Sequence, residues 1–421
     1  MGAVDVWAVS EQPGGSMTGG DRDPALVVFS SLFPHPGRPG SGLFIRERMF
    51  RVAQTLPVVV IAPQPWFPGQ SLLRRFRPNF RPPAPQQEKQ QGITVYHPRF
   101  ISVPGQLKWL DGWSMARSAR SLIRRLRSAG RADVIDAHFA YPDGYAAVLL
   151  GRRFRLPVCI TLRGTEPRIA AYPLCGRLQR WAMRRAQRVF AVADSLRQMA
   201  LREGVPAART LTVGNGVDTE RFHRLDKLGA RKAMNLSSDA KVLISVGGLV
   251  ERKGFHRVIQ LLPLLLSQHP DLVYLIVGGP SPEGDWSKRL HEMVAKLGLQ
   301  RQVRFLGTLA PDELKLPLSA ADLFVRATRN EGWANVLLEA MACGLPVVTT
   351  DVGGNREVVC SPHLGKIVPF GDGAALADAI TQGLTDDWDR DAIVAYANAN
   401  SWSARVPVLI SEFRRLAACM D

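Results

Sequence analysis

Two glutamates eight residues apart, Glu331 and Glu339, bracket a turn and the opening of a helix-forming run. Residues 334–342 are rich in helix formers, and a glycine and a proline end the run before a β-branched stretch. The free backbone N–H groups at the start of such a helix, together with the positive end of its dipole, favour binding of a diphosphate. Glu339 is then placed to accept hydrogen bonds from the hydroxyl groups of a sugar. Each glutamate alone is more simply a solvated charge, but the whole string predicts a site for a diphosphate and a sugar.

A lysine and a histidine elsewhere in the chain follow predicted strands at positions that suit ligand binding. Lys253 comes after a strand and a tight glycine turn, from which its flexible ammonium reaches a diphosphate oxygen and stabilises a leaving nucleotide. His138 ends another predicted strand, where open α/β sheets bind their ligands. The plainer explanations are a solvated loop lysine and a structural histidine.

The elements that would position these residues are short apolar strands alternating with helical stretches. Such alternation predicts an α/β fold with parallel sheets. The predicted strands of the first half are Ala25–Ser30, Val58–Ala62, Val134–Ala137, Val158–Leu162, Val189–Val192 and Thr210–Val213. Those of the second half are Val242–Val246, Val273–Val277, Val303–Leu306, Leu323–Ala327 and Val347–Thr350. Two doubly wound domains that face a cleft are the simplest architecture for 421 residues.

The segment from Glu331 to Pro346 resembles the E-x7-E signature of family 4 glycosyltransferases, which are retaining enzymes of the GT-B fold that use nucleotide-sugar donors. Other segments fall in the same order and spacing as in that family. They are Val246–Phe255 with its glycine pair and lysine, Leu275–Pro280, Val303–Gly307, Ala321–Val325 and Val352–Gly354. The resemblance covers roughly residues 25–400, and ordered motifs over that length are far more specific than one glycine-rich loop.

The resemblance implies roles for particular residues. The implied catalytic residues are His138, Lys253 and Glu331. The implied donor-binding residues are Gly40, Gly42, Gly248, Arg252, Lys253, Gly278, Arg304, Phe305, Glu331, Ala334, Asn335, Val336 and Glu339. Front-face attack, with the leaving phosphate helping to take the acceptor proton, implies neither a metal site nor another cofactor.

Two positions depart from the family pattern. Gly248 stands where many relatives carry an arginine that clamps phosphate, so Arg252, Arg326 or Arg329 compensates or the phosphates are held by fewer charges. Arg163 stands where many relatives have histidine, and we expect it to face a phosphorylated or acidic acceptor.

The resemblance and the composition together predict four segments. Residues 1–23 form a disordered tail, without the charged and apolar regions of a signal peptide. Residues 24–215 form an acceptor-binding Rossmann-like domain, and residues 216–400 a donor-binding domain that begins after a turn-rich break. Residues 401–421 form a helix that crosses back to the first domain. Five scattered cysteines without C-x-x-C spacing argue against a disulfide framework and a zinc site.

Positive charge is concentrated in the first half of the chain. The net charge is +17, with 31 Lys and Arg against 13 Asp and Glu in residues 1–215, and 23 against 24 in residues 216–421. Arginines alternate with bulky apolar residues in 67–81 and 113–127, a pattern typical of binding to an anionic bilayer surface, although a solvated helix and a loop explain it too. No apolar run approaches the roughly 20 residues of a spanning helix. We therefore expect a cytoplasmic protein, peripheral at the inner face of the membrane.

The expected partners are a nucleotide-sugar donor and a lipid-linked or glycan acceptor, in cell-surface glycan biosynthesis. One alternative is a GT-B scaffold or binding subunit with impaired catalysis, which the glycine at 248 supports and the intact Lys253, Glu331 and Glu339 oppose. Another is a nucleic-acid-binding protein that uses the basic half. No helix-turn-helix or aromatic stacking motif supports it, so nucleic acid is not an expected partner.

Overall fold

The computed structural model describes residues 22–77, 80–281 and 283–418. Its chain divides into two compact units. Unit 1 comprises the described residues up to Ala191, then Leu196–Val213, and those from Val406 onward, and unit 2 comprises Val192–Ser195 and Gly214–Arg405. Most of the predicted tail, residues 1–21, lies outside the described residues; the domain limits drawn from the sequence stay a prediction.

Unit 1 contains an eight-stranded sheet among its described residues, with strand order β10-β9-β8-β7-β1-β2-β5-β4. All neighbours pair in parallel except β4, which runs antiparallel to β5, while β3 and β6 form a separate parallel ribbon. The strands are β1 (Leu26–Phe29), β2 (Val58–Ile61), β3 (Gln64–Trp66), β4 (Gln87–Gln90), β5 (Ile93–Tyr96), β6 (Arg99–Ile101), β7 (Val134–His138), β8 (Val158–Leu162), β9 (Arg188–Ala191) and β10 (Thr210–Thr212).

Helices cover the central strands of unit 1, which explains why those strands are apolar on both faces. Every residue of β1 is buried, and Val27 lies between Val59 of β2 and Ile135 of β7 in the ladder. The helices are α1 (Leu43–Val52), α2 (Gln70–Phe76), α3 (Asp111–Ser128), α4 (Tyr145–Phe154), α5 (Glu166–Ala170), α6 (Pro173–Arg185) and α7 (Asp194–Arg202).

Unit 2 contains a six-stranded, all-parallel sheet among its described residues, with strand order β13-β12-β11-β14-β15-β16. Its strands are β11 (Val242–Val246), β12 (Val273–Val277), β13 (Val303–Gly307), β14 (Leu323–Arg326), β15 (Val347–Thr350) and β16 (Gly365–Val368). Its helices are α8 (Lys227–Ala233), α9 (Phe255–Gln268), α10 (Ser287–Lys296), α11 (Lys315–Ala320), α12 (Asn335–Ala342), α13 (Asn355–Val358), α14 (Gly373–Thr385) and α15 (Arg390–Ala399). The predicted α/β fold with two Rossmann-like parallel sheets is confirmed.

The last helix, α16 (Trp402–Ala418), continues through Pro407 and belongs to unit 1 from Val406 onward. Within unit 1 its buried Phe413 packs edge-on against Phe190 of β9, with ring centroids 5.9 Å apart. Arg414 of the same helix forms an ion pair with Asp23, a residue at the end of the predicted tail. No helix in the described part of the chain is both long and apolar enough to cross a membrane.

Candidate active site

In unit 2, a tight turn after β11 carries Lys253 to the carboxyl edge of the sheet. Gly254 follows it with φ of 81°, and a Cβ atom at this position would lie 1.9 Å from the carbonyl oxygen of Ala327. Only glycine permits that approach, because any side chain would collide with the backbone at the end of β14. The glycine turn that the sequence marked therefore places Lys253 beside β14 and the loop that follows it.

Glu331 lies in that loop and is held by two cations. Its Oε1 atom accepts hydrogen bonds from Lys253 Nζ at 2.6 Å and from Arg326 Nη2 and Nε at 2.5 and 3.1 Å. Gly353 packs against the backbone of this loop. Its φ is 54°, and a Cβ atom there would lie 1.8 Å from the Glu331 carbonyl oxygen. The predicted lysine and first glutamate are thus in direct contact.

The charges around Glu331 shift its ionisation and that of Lys253 in a consistent way. Burial opposes ionisation of Glu331, but the positive charges of Arg326 and Lys253 outweigh it and lower the pKa to about 2. Burial, followed by repulsion from Arg326, lowers the pKa of Lys253 to about 8. Arg252 lies 3.7 Å from the same Glu331 oxygen and also forms an ion pair with Glu283 at 2.6 Å. Three cations therefore face two carboxylates, which leaves an excess of positive charge.

The helix α12 begins immediately after this cluster. Ala334 precedes its first residue and provides no capping side chain, and the helix starts with Asn335 and Val336. Asn335 accepts a hydrogen bond from Asn215 Nδ2 at 2.9 Å through its side-chain oxygen, whereas Glu339 lies on the half-buried face one turn further on. The Leu337 N–H donates to the Ala334 carbonyl oxygen at 3.0 Å. The amides that precede it have no carbonyl partner within the helix, so this end can bind an anion.

The remaining predicted donor residues of unit 2 lie in the loops after β11 and β12 and on β13. Gly248 and Gly278 follow β11 and β12. Arg304 donates hydrogen bonds to the Met234 and Asn235 carbonyl oxygens at 3.1 Å, and Phe305 stacks on His291 with centroids 3.9 Å apart. Arg304 is thus anchored to the loop after α8 and is not part of the Lys253 cluster; a role for it in base binding stays a prediction.

In unit 1, His138 is the last residue of β7 and is completely buried. Arg163, which follows β8, donates to His138 Nδ1 from Nη2 at 3.0 Å and from Nε at 3.3 Å. Because Nδ1 accepts these bonds, the ring proton belongs on Nε2, which lies 3.5 Å from Asp136 Oδ2. Burial, and then the positive charges of Arg163 and Arg48, hold the pKa of His138 well below its usual value. The imidazole is therefore neutral.

Two further buried carboxylates follow β7 and β8 in the chain, and the sequence interpretation missed them. Glu166, the first residue of α5, accepts backbone N–H bonds from Arg163 and Gly164. Asp143 accepts hydrogen bonds from the backbone N–H and hydroxyl of Ser31, and burial raises its pKa to about 7. Their sequence signal is an acidic residue a few positions after the end of a predicted strand, where open α/β sheets bind their ligands.

Gly40 and Gly42, two of the predicted donor-binding residues, lie in unit 1 in the loop before α1. Gly42 precedes α1 with φ of 71°, and a Cβ there would lie 2.3 Å from the Leu32 carbonyl oxygen. Gly40 is exposed and has open space around its Cα. Contact of this loop with a diphosphate stays a prediction, as does contact of Arg163 with an acceptor. Within the described residues, no group of three or more His, Cys, Asp or Glu side chains is arranged to hold a metal ion.

Comparison with known proteins assigns the class of enzyme. The family model described as "Glycosyl transferases group 1" matches residues 226–400, and the model described as "Glycosyltransferase Family 4" matches residues 73–221. A D-inositol 3-phosphate glycosyltransferase from Thermobispora bispora is 30% identical over 65% of this chain and 68% of its own length. TuaC, a Bacillus subtilis glycosyltransferase named for teichuronic acid biosynthesis, is 28% identical over 85% of this chain and 88% of its own.

A solved structure shows the same fold at lower identity. HepE from Anabaena, determined in complex with UDP, superposes with a TM-score of 0.68 at 20% identity and covers 94% of this chain and all of its own. Several inositol 3-phosphate glycosyltransferases match more closely in sequence, but this chain spans only about half of their length. The sequence motifs, the two parallel sheets and the family matches agree, and the chain belongs to the family 4 glycosyltransferases.

Proposed function

We propose that this protein is a retaining glycosyltransferase that moves a sugar from a nucleoside diphosphate to a lipid-linked or polysaccharide acceptor in cell-surface glycan biosynthesis. The observation that carries the proposal is the excess positive charge around Glu331, directly before the first turn of α12. A cationic cluster beside a helix N-terminus is suited to the departing diphosphate of a nucleotide-sugar.

Each group has a definite task in this proposal. Lys253 and the first amides of α12 stabilise charge on the leaving diphosphate, so the reaction proceeds without a metal or another cofactor. Glu331 orients Lys253 and Arg326 through its single shared oxygen. Glu339 binds hydroxyl groups of the donor sugar. The acceptor hydroxyl attacks from the face that the diphosphate leaves, and a phosphate oxygen takes its proton.

Two comparisons support parts of this proposal. The Anabaena structure contains UDP, which favours a uridine nucleotide as the donor carrier. The name of the Bacillus subtilis relative refers to teichuronic acid biosynthesis, which favours an acceptor in a cell-surface glycan. Both proteins are distant from this chain, so the base and the acceptor are part of the proposal.

Unit 1 presents a surface that we call the basic aromatic face, which supports attachment to the cytoplasmic side of a membrane. Its apolar members are large, exposed side chains on β3, α2, β6, the turn before α3 and the first turn of α3. They are Trp66, Phe76, Ile101, Trp109 and Trp113. Exposed arginines accompany them, namely Arg75, Arg77, Arg117, Arg120 and Arg124. Aromatic side chains beside arginines match the interface of an anionic bilayer in both polarity and charge.

The parts of this face are neighbours in the fold. Trp66 is paired with Ile101 in the β3–β6 ribbon, and the Ile101 backbone N–H donates to Ser114 Oγ of α3 at 2.9 Å. Along α3, Trp113, Arg117 and the two later arginines recur every three or four residues, which places them on one side of the helix. The face is therefore continuous from the ribbon to α3.

Calorimetric titration with UDP-, GDP-, ADP- and dTDP-sugars tests the donor proposal. We expect one donor to bind the wild-type protein with a micromolar Kd and the Glu339→Ala variant to lose that binding. Glu292→Ala is the matched control, because Glu292 is an exposed glutamate on the surface of α10. A folded wild-type protein that binds none of the four donors contradicts the proposal.

Sedimentation with vesicles tests the membrane part. Vesicles of phosphatidylglycerol should retain the wild-type protein, vesicles of phosphatidylcholine should not, and the triple change Arg117→Glu, Arg120→Glu and Arg124→Glu should release it. The control makes the same number of charge reversals at exposed arginines of α4, α5 and α6, namely Arg153→Glu, Arg168→Glu and Arg177→Glu. Equal retention of the triple variant and the control would show that the basic aromatic face is not the attachment surface.

A further inference from the structure

A polar cavity opens in unit 1 beside the edge of the sheet that carries His138. Its volume is about 220 Å³, and its wall includes Ser31, just after β1, and Pro142, in the loop after β7. The side chains that matter for its chemistry come from three separate loops and the start of α3. They are Arg38, Arg81, Ser102, Lys108 and Asp111.

The cations of this cavity outnumber its carboxylates. Lys108 Nζ contacts Asp111 Oδ2 at 3.1 Å and Ser102 Oγ at 2.8 Å, so this lysine is partly neutralised. Arg81 donates one hydrogen bond to the Ser102 carbonyl oxygen and has no carboxylate within ion-pair distance in the described structure. Arg38 is exposed and likewise forms no ion pair with any described residue. Three positive side chains thus share one carboxylate.

Arg81 is held in place by unusual local structure. Its guanidinium lies over the rings of Phe80 and Phe67, at 5.5 and 5.8 Å from their centroids. Its backbone has φ of 42°, in the left-handed region that residues other than glycine rarely adopt. Burial lowers the pKa of Arg81 and raises that of Asp111, so the cavity is partly shielded from water. A cation fixed in such a place interacts strongly with an anion.

We propose that this cavity binds the phosphate group of a phosphorylated acceptor, an inference that rests on the transferase function proposed above. The forked guanidinium groups of Arg38 and Arg81 match phosphate oxygens, and the Lys108 ammonium adds a third positive contact. The volume is below the range of about 300–1,000 Å³ of pockets that enclose whole small ligands, so the cavity takes the charged group and leaves the glycan outside. The phosphate belongs either to a soluble sugar phosphate or to a lipid headgroup.

Binding of simple phosphates to the full-length protein tests this inference. The soluble probes are inorganic phosphate and glucose 6-phosphate, with glucose as the uncharged reference, all measured by calorimetry. The lipid probe is a phosphatidylcholine vesicle with and without phosphatidic acid, measured by sedimentation. The variants are Arg38→Ala and Arg81→Lys, and Arg177→Ala is the matched control, an exposed α6 arginine outside the cavity. Arg38→Ala is the safer variant for folding because its side chain is exposed.

We expect a phosphate probe to bind the wild-type protein and glucose not to bind. Arg38→Ala and Arg81→Lys should each weaken that binding by about tenfold or more, as loss of a charge-assisted contact does, whereas Arg177→Ala should leave it unchanged. Binding of glucose 6-phosphate that Arg38→Ala weakens identifies a soluble acceptor. Binding of phosphatidic acid vesicles alone identifies a lipid-borne acceptor only if Arg38→Ala and Arg81→Lys weaken it, because the basic aromatic face is expected to bind anionic vesicles independently. Equal affinities of all variants for every phosphate probe would overturn the inference.

A titration of the same preparations with UDP separates this inference from the transferase proposal. Protein that binds UDP but no phosphate probe keeps its proposed function and lacks the cavity site. Protein that binds a phosphate probe in an Arg38-dependent manner but binds no nucleotide keeps the cavity site and loses the donor proposal.

Discussion

The carboxyl edges of the two sheets carry polar clusters of opposite character. In unit 2, the charged side chains of Lys253 and Arg326 both bind the same carboxylate oxygen of Glu331. In unit 1, a neutral His138 lies buried between Arg163 and Asp136, and burial raises the pKa of Asp136 to about 6. Fixed positive charge is suited to binding the leaving diphosphate. Buried groups that already have hydrogen-bond partners are suited to orienting a substrate. We therefore propose charge stabilisation for the cluster of unit 2 and positioning for that of unit 1.

Lys253→Ala should produce the largest loss of activity. In the proposed mechanism the ammonium stabilises the departing diphosphate, and loss of one such stabilising group costs about 10²–10³ in kcat. Steady-state transfer measured with the preferred donor checks this, and Lys253→Arg, which keeps the charge, should recover much of the rate. A kcat within about twofold of wild type in Lys253→Ala would show that this cluster does not stabilise the charge of the leaving group.

Arg326→Leu should have the next largest effect and shows how the cluster works. Arg326 donates to Glu331 and to the Val246 carbonyl oxygen at the end of β11, so it holds the carboxylate in place and repels the Lys253 proton. Its loss should lower kcat/KM by about 10-fold to 100-fold, roughly the cost of one buried charged contact. Because its repulsion disappears, the pKa of Lys253 should rise, and the alkaline limb of the pH profile should move upward. Arg326→Lys should keep both features closer to wild type, and an unmoved alkaline limb in Arg326→Leu would exclude this coupling.

Much of the fold was visible in the sequence because buried parallel strands are continuous apolar runs. Val158–Leu162, Val242–Val246 and Val273–Val277 were predicted with the bounds that the structure shows. The edge strand Gln87–Gln90 was missed because its residues are polar and show no alternation, and Gly365–Val368 because glycine and lysine interrupt it.

The candidate site was visible only in part. Lys253 and Glu331 were marked by local motifs of glycine and acidic residues, and the structure brings them into contact. Arg326 was one of three arginines considered for phosphate binding. Its two hydrogen bonds to Glu331 Oε1 depend on where β14 ends beside β11. The direction of the Arg304 side chain depends on a loop some 70 residues earlier. Pairings between strands distant in the chain leave no signal in a single sequence.

Donor binding should depend on pH through Lys253. Its pKa in the free protein is about 8, below the ordinary value of 10.5, so the ammonium loses its proton as the pH rises through 8. A bound diphosphate favours the protonated form, and affinity is therefore full below pH 8 and falls above it by up to about tenfold per pH unit. Calorimetric Kd values for UDP from about pH 6.5 to about pH 9.5 measure this slope. Lys253→Arg should bind with little pH dependence, and the same slope in that variant would assign the titration to another group.

Of the changes considered, Arg163→Met should affect donor binding least. Its main effect should be on the pKa values of buried groups in unit 1. The change removes the donor to His138 Nδ1 and a positive charge that lowers the pKa of His138 and of Asp136. Both pKa values should rise, and UDP affinity should stay at the wild-type level.

The free energy of unfolding of Arg163→Met should depend on pH more steeply than that of the wild type. The pKa of Asp136 is about 6 in the folded protein, above its ordinary 3.8, because burial outweighs the attraction of Arg48 and Arg163. An acid with a raised pKa takes up protons on folding, so its contribution to stability is lost as the pH rises through the folded pKa. Arg163→Met should therefore lose about 1–3 kcal/mol more than wild type between about pH 6 and pH 8 in urea unfolding. Arg153→Met, an exposed change on α4, is the control, and parallel curves for the two variants would mean that Arg163 does not hold the charge balance of this cluster.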